Sequence, residues 1–138
     1  MKKILLLGVA FVLLYAAANH KFLLAMAYLH DSNFANDKKA VTLLEEAKTQ
    51  DRDIKSAFLL GYYYKTRKYR AVNLHKSHEN YLYAANRGDE VAKMLVAWNF
   101  YRGIGCTVNR DKAKKLLTEL AIAGNSKAKE ILKFVIRN

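Results

Sequence analysis

The feature that most constrains this chain is a repeat. Leu24, Leu60, Val96 and Leu132 stand 36 residues apart. Ser56, Ala92 and Ala128 keep the same offset, as do Ala25, Gly61 and Ala97, and the aromatics Tyr28, Tyr64 and Phe100. A later series pairs Tyr81 with Leu117, Ala85 with Ala121, and Gly88 with Gly124. Self-similarity at a period of about 20–50 residues marks stacked supersecondary units. Each unit reads as two helices. The first, as in Ser56–Tyr64, has a small residue, then an aliphatic four on, a small residue five on and an aromatic eight on. Those offsets share one helical face. The small residue lets the partner helix come close, and the aromatic fills the wedge between them. The second, as in Ala113–Ala123, is amphipathic with Leu116, Leu117, Leu120 and Ala121 inward. Gly88 and Gly124 supply left-handed stops, and Asp89 and Asn125-Ser126 can cap the helix that follows.

The third unit is the most complete. Ala92, Val96, Ala97 and Phe100 lead into Gly103-Ile-Gly105-Cys106 and Asn109-Arg-Asp-Lys-Ala113, and Leu117, Ala121, Gly124 and Ala128 follow. This pattern resembles the Sel1-like repeat family, relatives of the tetratricopeptide repeats. The second unit keeps Leu60-Gly61, Tyr64, Tyr81, Ala84-Ala85 and Gly88, but has Lys65-Thr-Arg-Lys-Tyr-Arg70 where the glycine loop should be. The first keeps Leu24, Ala25, Tyr28 and Asp37-Lys-Lys-Ala40; a length change displaces its second helix, and Asp51-Arg52-Asp53 replaces the terminal glycine. The expected fold is all-α: a right-handed α-solenoid of about three helix pairs, in units of about 19–53, 54–89 and 90–125, with a capping helix at 126–138. Ile131, Leu132, Phe134, Val135 and Ile136 make that cap unusually apolar. For function, the resemblance implies a non-catalytic protein-interaction scaffold.

Residues 1–18 read as a targeting segment that precedes the repeats. Lys2 and Lys3 form a basic start, Ile4–Ala18 carries no charge, and Ala16-Ala17-Ala18 fits a small-residue cleavage site. As a helix, Ile4–Ala18 would span about 22 Å, short of the ~30 Å hydrocarbon core. Both a cleaved signal peptide and a retained anchor stay open, as does a buried first helix of a cytosolic protein. Under either export reading the basic end stays in the cytoplasm and the repeats face the periplasm. Membrane contact, where retained, is expected through residues 4–18.

Charge is unevenly spread. Residues 1–64 hold 8 basic and 6 acidic side chains, a net +2; residues 65–138 hold 16 and 6, a net +10. The second half should attract anionic partners. The absence of proline argues against Pro-rich or turn-dense all-β folds. One cysteine, Cys106, excludes an intramolecular disulfide and a cysteine-based zinc site. With no cysteine after the apolar run, a lipoprotein is excluded too.

The candidate partner-binding residues are Tyr62, Tyr63, Lys65, Arg67, Lys68, Tyr69 and Arg70, with Trp98 and Tyr101 on the next first-type helix. Tyrosines interleaved with bases suit an anionic partner through charge and cation–π contacts, and Tyr and Arg dominate interface hot spots. Trp98, Tyr62 and Tyr63 are expected as exposed anchors on the surface that first-type helices line. His75-x-x-His78-Glu79 brings two imidazoles and a carboxylate onto one helix face; the expectation there is a solvated polar face, with no metal and no cofactor. Cys106 reads as a small buried apolar residue, with pairing between chains as its alternative.

Together these features point to an exported accessory or scaffold subunit of a bacterial envelope or inner-membrane complex. It would bind a protein of acidic or mixed surface rather than nucleic acid. Two alternatives remain: an inhibitor, immunity-type or regulatory binder of one envelope protein, and a cell-wall-active enzyme built on His75, His78 and Glu79.

Overall fold

With no proline in the chain, only caps and turns can end its helices. The computed structural model describes residues 20–30, 34–66 and 72–137, with the backbone alone at Phe34. Helices are α1 (20–30), α2 (Phe34–Gln50), α3 (Ile54–Lys65), α4 (Leu74–Ala85), α5 (Glu90–Arg102), α6 (Arg110–Ile122) and α7 (Ser126–Arg137), and no strand occurs among the described residues. The expected targeting segment at residues 1–18 lies outside the described residues. The chain forms two compact units, one up to Ser56 and one from Ala57 onward.

In the first unit, Ala25 and Leu29 of α1 are buried, as are Ala40, Leu44 and Ala47 of α2. Lys21 Nζ donates to Gln50 Oε1 at 2.9 Å and pairs with Asp51 at 3.2 Å, tying the start of α1 to the end of α2. Leu24, expected inward, is exposed instead. The buried edge of α1 follows Ala25 and Leu29, spaced four apart, and Leu24 lies about 100° off it.

In the second unit each helix packs on its neighbour in sequence, α4 on α5, α5 on α6 and α6 on α7. A core of Ala97, Tyr101, Leu117, Leu120 and Val135 joins the last three helices. α3 and α4 approach closely at Gly61. A Cβ there would lie 2.7 Å from the ring of buried Tyr81. Beside it, Ser77 Oγ donates to the Gly61 carbonyl at 2.7 Å. This is the small-against-aromatic contact expected from the sequence. Burial pushes the Tyr81 phenol up to about 12.

The repeat extends to single hydrogen bonds. Asp53, Asp89 and Asn125, each 36 residues from the next, accept the backbone N–H of Ser56, Ala92 and Ala128. These three acceptors cap α3, α5 and α7, and each received residue is fully buried. Asn73 and Asn109 do the same for α4 and α6, accepting from Lys76 N and Lys112 N. Their own N–H groups donate to the carbonyls of Tyr64 and Phe100, both at 2.8 Å. Above the repeat aromatics stand lysines: Lys39 over Tyr28 at 5.6 Å, Lys76 over Tyr64 at 5.2 Å and Lys112 over Phe100 at 5.1 Å. The first pair is one residue closer in sequence, which locates the length change of the first unit between Tyr28 and Lys39.

At the turn before each cap the backbone goes left-handed, with φ of 98° at Gly88 and 99° at Gly124. Arg52 holds the same place in the first unit at φ 54°. A side chain there costs about 1–2 kcal/mol in the left-handed region, partly offset by the greater freedom of an unfolded glycine. Arg52→Gly is therefore expected to raise stability by up to about 1 kcal/mol, read as a higher urea midpoint. Gly61→Ala should lower it by about 1–3 kcal/mol, because the Tyr81 ring has nowhere to retreat. A Gly61→Ala chain that melts like the wild type would refute the close-approach argument.

Candidate functional site

The Tyr/Arg segment divides on folding. Tyr62 is 44% exposed and Lys65 is exposed at the end of α3. Tyr63 is only 4% exposed and meets the Tyr64 ring edge-on at 5.3 Å. Its expected role as an exposed anchor is corrected. Tyr62 and Tyr63 differ by about 100° around the helix, so one can face solvent while the other is covered. Arg67, Lys68, Tyr69 and Arg70 lie outside the described residues.

Tyr101 is corrected likewise. It is 8% exposed and belongs to the core between α5, α6 and α7. The Arg110 guanidinium lies 5.4 Å from its ring centre. Above it sit two rings that reach the surface. Trp98 is half-buried, 5.6 Å from Tyr101 and 6.1 Å from Phe134. Phe134 is 48% exposed and meets Tyr101 edge-on at 6.1 Å. Trp98, Phe134, Ile131 and Glu130 line a shallow open groove of about 310 Å³. The lining is almost wholly apolar, with the Arg102 guanidinium 5.7 Å from the Trp98 ring centre at its edge.

The groove lies within a longer series that the sequence reading missed. Tyr62, Trp98 and Phe134 keep the 36-residue offset, and Phe58, Met94 and Glu130 precede each by one helical turn. In the second unit this places an apolar pair on α3 and on α5, and Glu130 with Phe134 on α7. In the first unit Phe22 and the exposed Met26 hold the same register on α1. The signal was available: the offset that locates the core also locates this surface series.

The histidine motif does not converge. His75 is exposed, with Nδ1 3.1 Å from the Gly105 carbonyl and Nε2 3.4 Å from Glu79. His78 points the other way and is buried, against the expectation of a solvated face. Asn99 Nδ2 donates to its Nδ1 at 3.3 Å, and the Phe100 ring packs edge-on at 4.9 Å. Burial holds its pKa below the usual 6.5, helped by the charges of His75 and Lys112 and opposed by Glu79. No group of three or more metal-ligating side chains comes together among the described residues. Cys106 is half-buried in the glycine loop, and burial pushes its thiol pKa up, against a smaller pull from Lys112. That keeps the thiol in its less reactive form. No described helix is long and apolar enough to cross a membrane.

Two solved structures share the architecture. One is a Sel1 repeat protein from Oxalobacter formigenes, 27% identical, with a TM-score of 0.70 over 90% of this chain and 97% of that one. The other is a protective antigen of uropathogenic Escherichia coli with an SLR fold, 23% identical, with a TM-score of 0.72 over 86% of this chain. This chain spans 25% of the antigen's length, and at that identity the likeness speaks for the fold. No protein-family model and no curated protein matches the chain.

The buried imidazole sets a pH dependence. His78 is neutral on both sides of unfolding above its ordinary pKa of 6.5, so it has no effect there. Below 6.5 the unfolded chain takes up a proton that the folded chain resists, so stability falls until the lowered folded pKa is reached. Urea midpoints measured from pH 8 down to 5 should drop from about pH 6.5 downward in the wild type. His78→Gln should flatten that limb. An equal drop in both chains would assign the effect to other groups.

Proposed function

From the premise that this chain has the Sel1-like repeat fold, we propose that it is a non-catalytic protein-interaction module. It serves as an exported accessory or scaffold subunit of a bacterial envelope or inner-membrane complex. The observation that carries the reading is the series of apolar side chains left at the surface of successive first-type helices, Tyr62, Trp98 and Phe134. A repeat core requires none of them to be aromatic, and exposed aromatics at fixed spacing are what an interface uses as anchors. The Sel1 repeat neighbours support an interaction role at the level of the fold.

The envelope address rests on the sequence of residues 1–18, with two lysines ahead of an uncharged run ending in three alanines. In this reading the segment exports the repeats, either as a cleaved signal or as a tether. The enzyme alternative draws no support from the histidine motif, because His78 is turned into the core while His75 and Glu79 face solvent.

The test is purification of the full tagged chain from native membranes in mild detergent. A protein partner should co-purify at a fixed ratio. Replacing Tyr62 and Phe134 together by alanine should release it, with a loss of about tenfold or more in apparent affinity and an unchanged far-ultraviolet dichroism spectrum. Recovery of the chain alone and soluble would sink the accessory-subunit reading. A soluble one-to-one complex would favour the inhibitor or regulator alternative.

A further inference from the structure

Resting on that interaction reading, we infer that the Trp98–Phe134 groove seats an acidic segment of a partner protein, with one large apolar side chain packed across the two rings. The geometry supplies the apolar half. The groove is open, about 310 Å³ in volume, and lined by Trp98, Ile131, Phe134 and Glu130. That is room for a single anchor at the small end of binding-site sizes. Tyr101, buried in the core, backs both rings.

Charge supplies the other half. The cation Arg102 ends α5, four residues beyond Trp98. That spacing puts it one turn further along the aromatic face. Lys127 stands on the same face of α7, one turn before Glu130 and Ile131. Both cations are exposed, and neither forms an ion pair among the described residues. Arg102 is also held 5.7 Å from the Trp98 ring. Against these two, the groove holds one carboxylate, Glu130. An apolar slot bordered by free cations complements a segment whose apolar anchor is flanked by carboxylates. A basic or neutral segment would leave the cations unanswered. Glu130 then acts as a brake on affinity, and its removal should tighten the complex.

Trp98 is the only tryptophan in the chain, so its emission reports the groove directly. The experiment titrates the full chain with three short peptides: glutamates around one central leucine pair, lysines around the same pair, and glutamates around serines. Vesicles of phosphatidylglycerol form a fourth arm. The glutamate–leucine peptide should shift Trp98 emission to the blue and bind at least about tenfold more tightly than the lysine–leucine peptide. The glutamate–serine peptide should leave the emission unmoved. Phe134→Ala should weaken the glutamate–leucine peptide about tenfold. Arg102→Gln should weaken it severalfold and flatten its salt dependence, and Glu130→Gln should strengthen it. Equal binding of the lysine peptide, or an unchanged affinity in Phe134→Ala with native dichroism, would overturn the inference. So would a larger blue shift with the vesicles than with any peptide, which would make the surface a lipid site. If native membranes yield a stable partner while no acidic peptide binds, this inference fails and the interaction module stands. If the peptide binds but no partner is captured, the groove stands and the accessory-subunit reading fails.

Discussion

The hydrogen bond that the third backbone N–H of α3, α5 and α7 donates to a side-chain oxygen just before the helix sets the phase of everything after it. Asp53, Asp89 and Asn125 make it for α3, α5 and α7. An unpartnered N–H at a helix start, next to a fully buried residue, would be costly. The cap therefore fixes which residue begins the helix, and the helical period then fixes which face each later residue occupies. Because the three caps are evenly spaced, Leu60 and Val96 both point inward and Tyr62, Trp98 and Phe134 all come to the surface. The core and the candidate contact surface have one cause.

That is why so much of the fold could be read in advance. The offsets named the buried positions Ser56, Ala92 and Ala128, the close approach at Gly61, and the left-handed stops at Gly88 and Gly124. The failures share a reason as well. α5 packs on its own partner α6 and also on α4 before it and α7 after it. The offsets of four, five and eight describe only the first of those contacts. Tyr63 and Tyr101 lie off that face and are buried all the same. Their registers run Ala27, Tyr63, Asn99, Val135 and Leu29, Lys65, Tyr101, Arg137. Mixed polarity hid the burial from a pattern search.

α4 shows a second limit. Ser77, His78 and Asn80 are polar in sequence and buried in the structure. Each has a local partner: the Gly61 carbonyl for Ser77, Asn99 for His78 and the Lys76 carbonyl for Asn80. A satisfied polar group can be buried at little net cost, but hydropathy cannot see the partner. For His78 the consequence is chemical. A ring that looked available as a ligand or base is taken up by packing α4 against α5.

The last helix shows how the same register can be put to a different use. At α7, Lys133 and Arg137 stand where α5 has Ala97 and Tyr101. Ala97 and Tyr101 are covered in the core shared with α6, whereas Lys133 and Arg137 are exposed. Covering α7 with a similar apolar helix would strip water from two cations, at a cost of several kcal/mol unless they were paired. Its Trp98-facing side carries no such penalty, because Phe134 and Ile131 extend the apolar surface of α5. Chemistry thus separates the two open faces of α7. One resists apolar packing, and the other offers it with cations at the border. Since Tyr101 already holds the rings of that second face in place, a partner would find its anchor site built before it arrives. Little ordering of side chains would then be left to oppose binding.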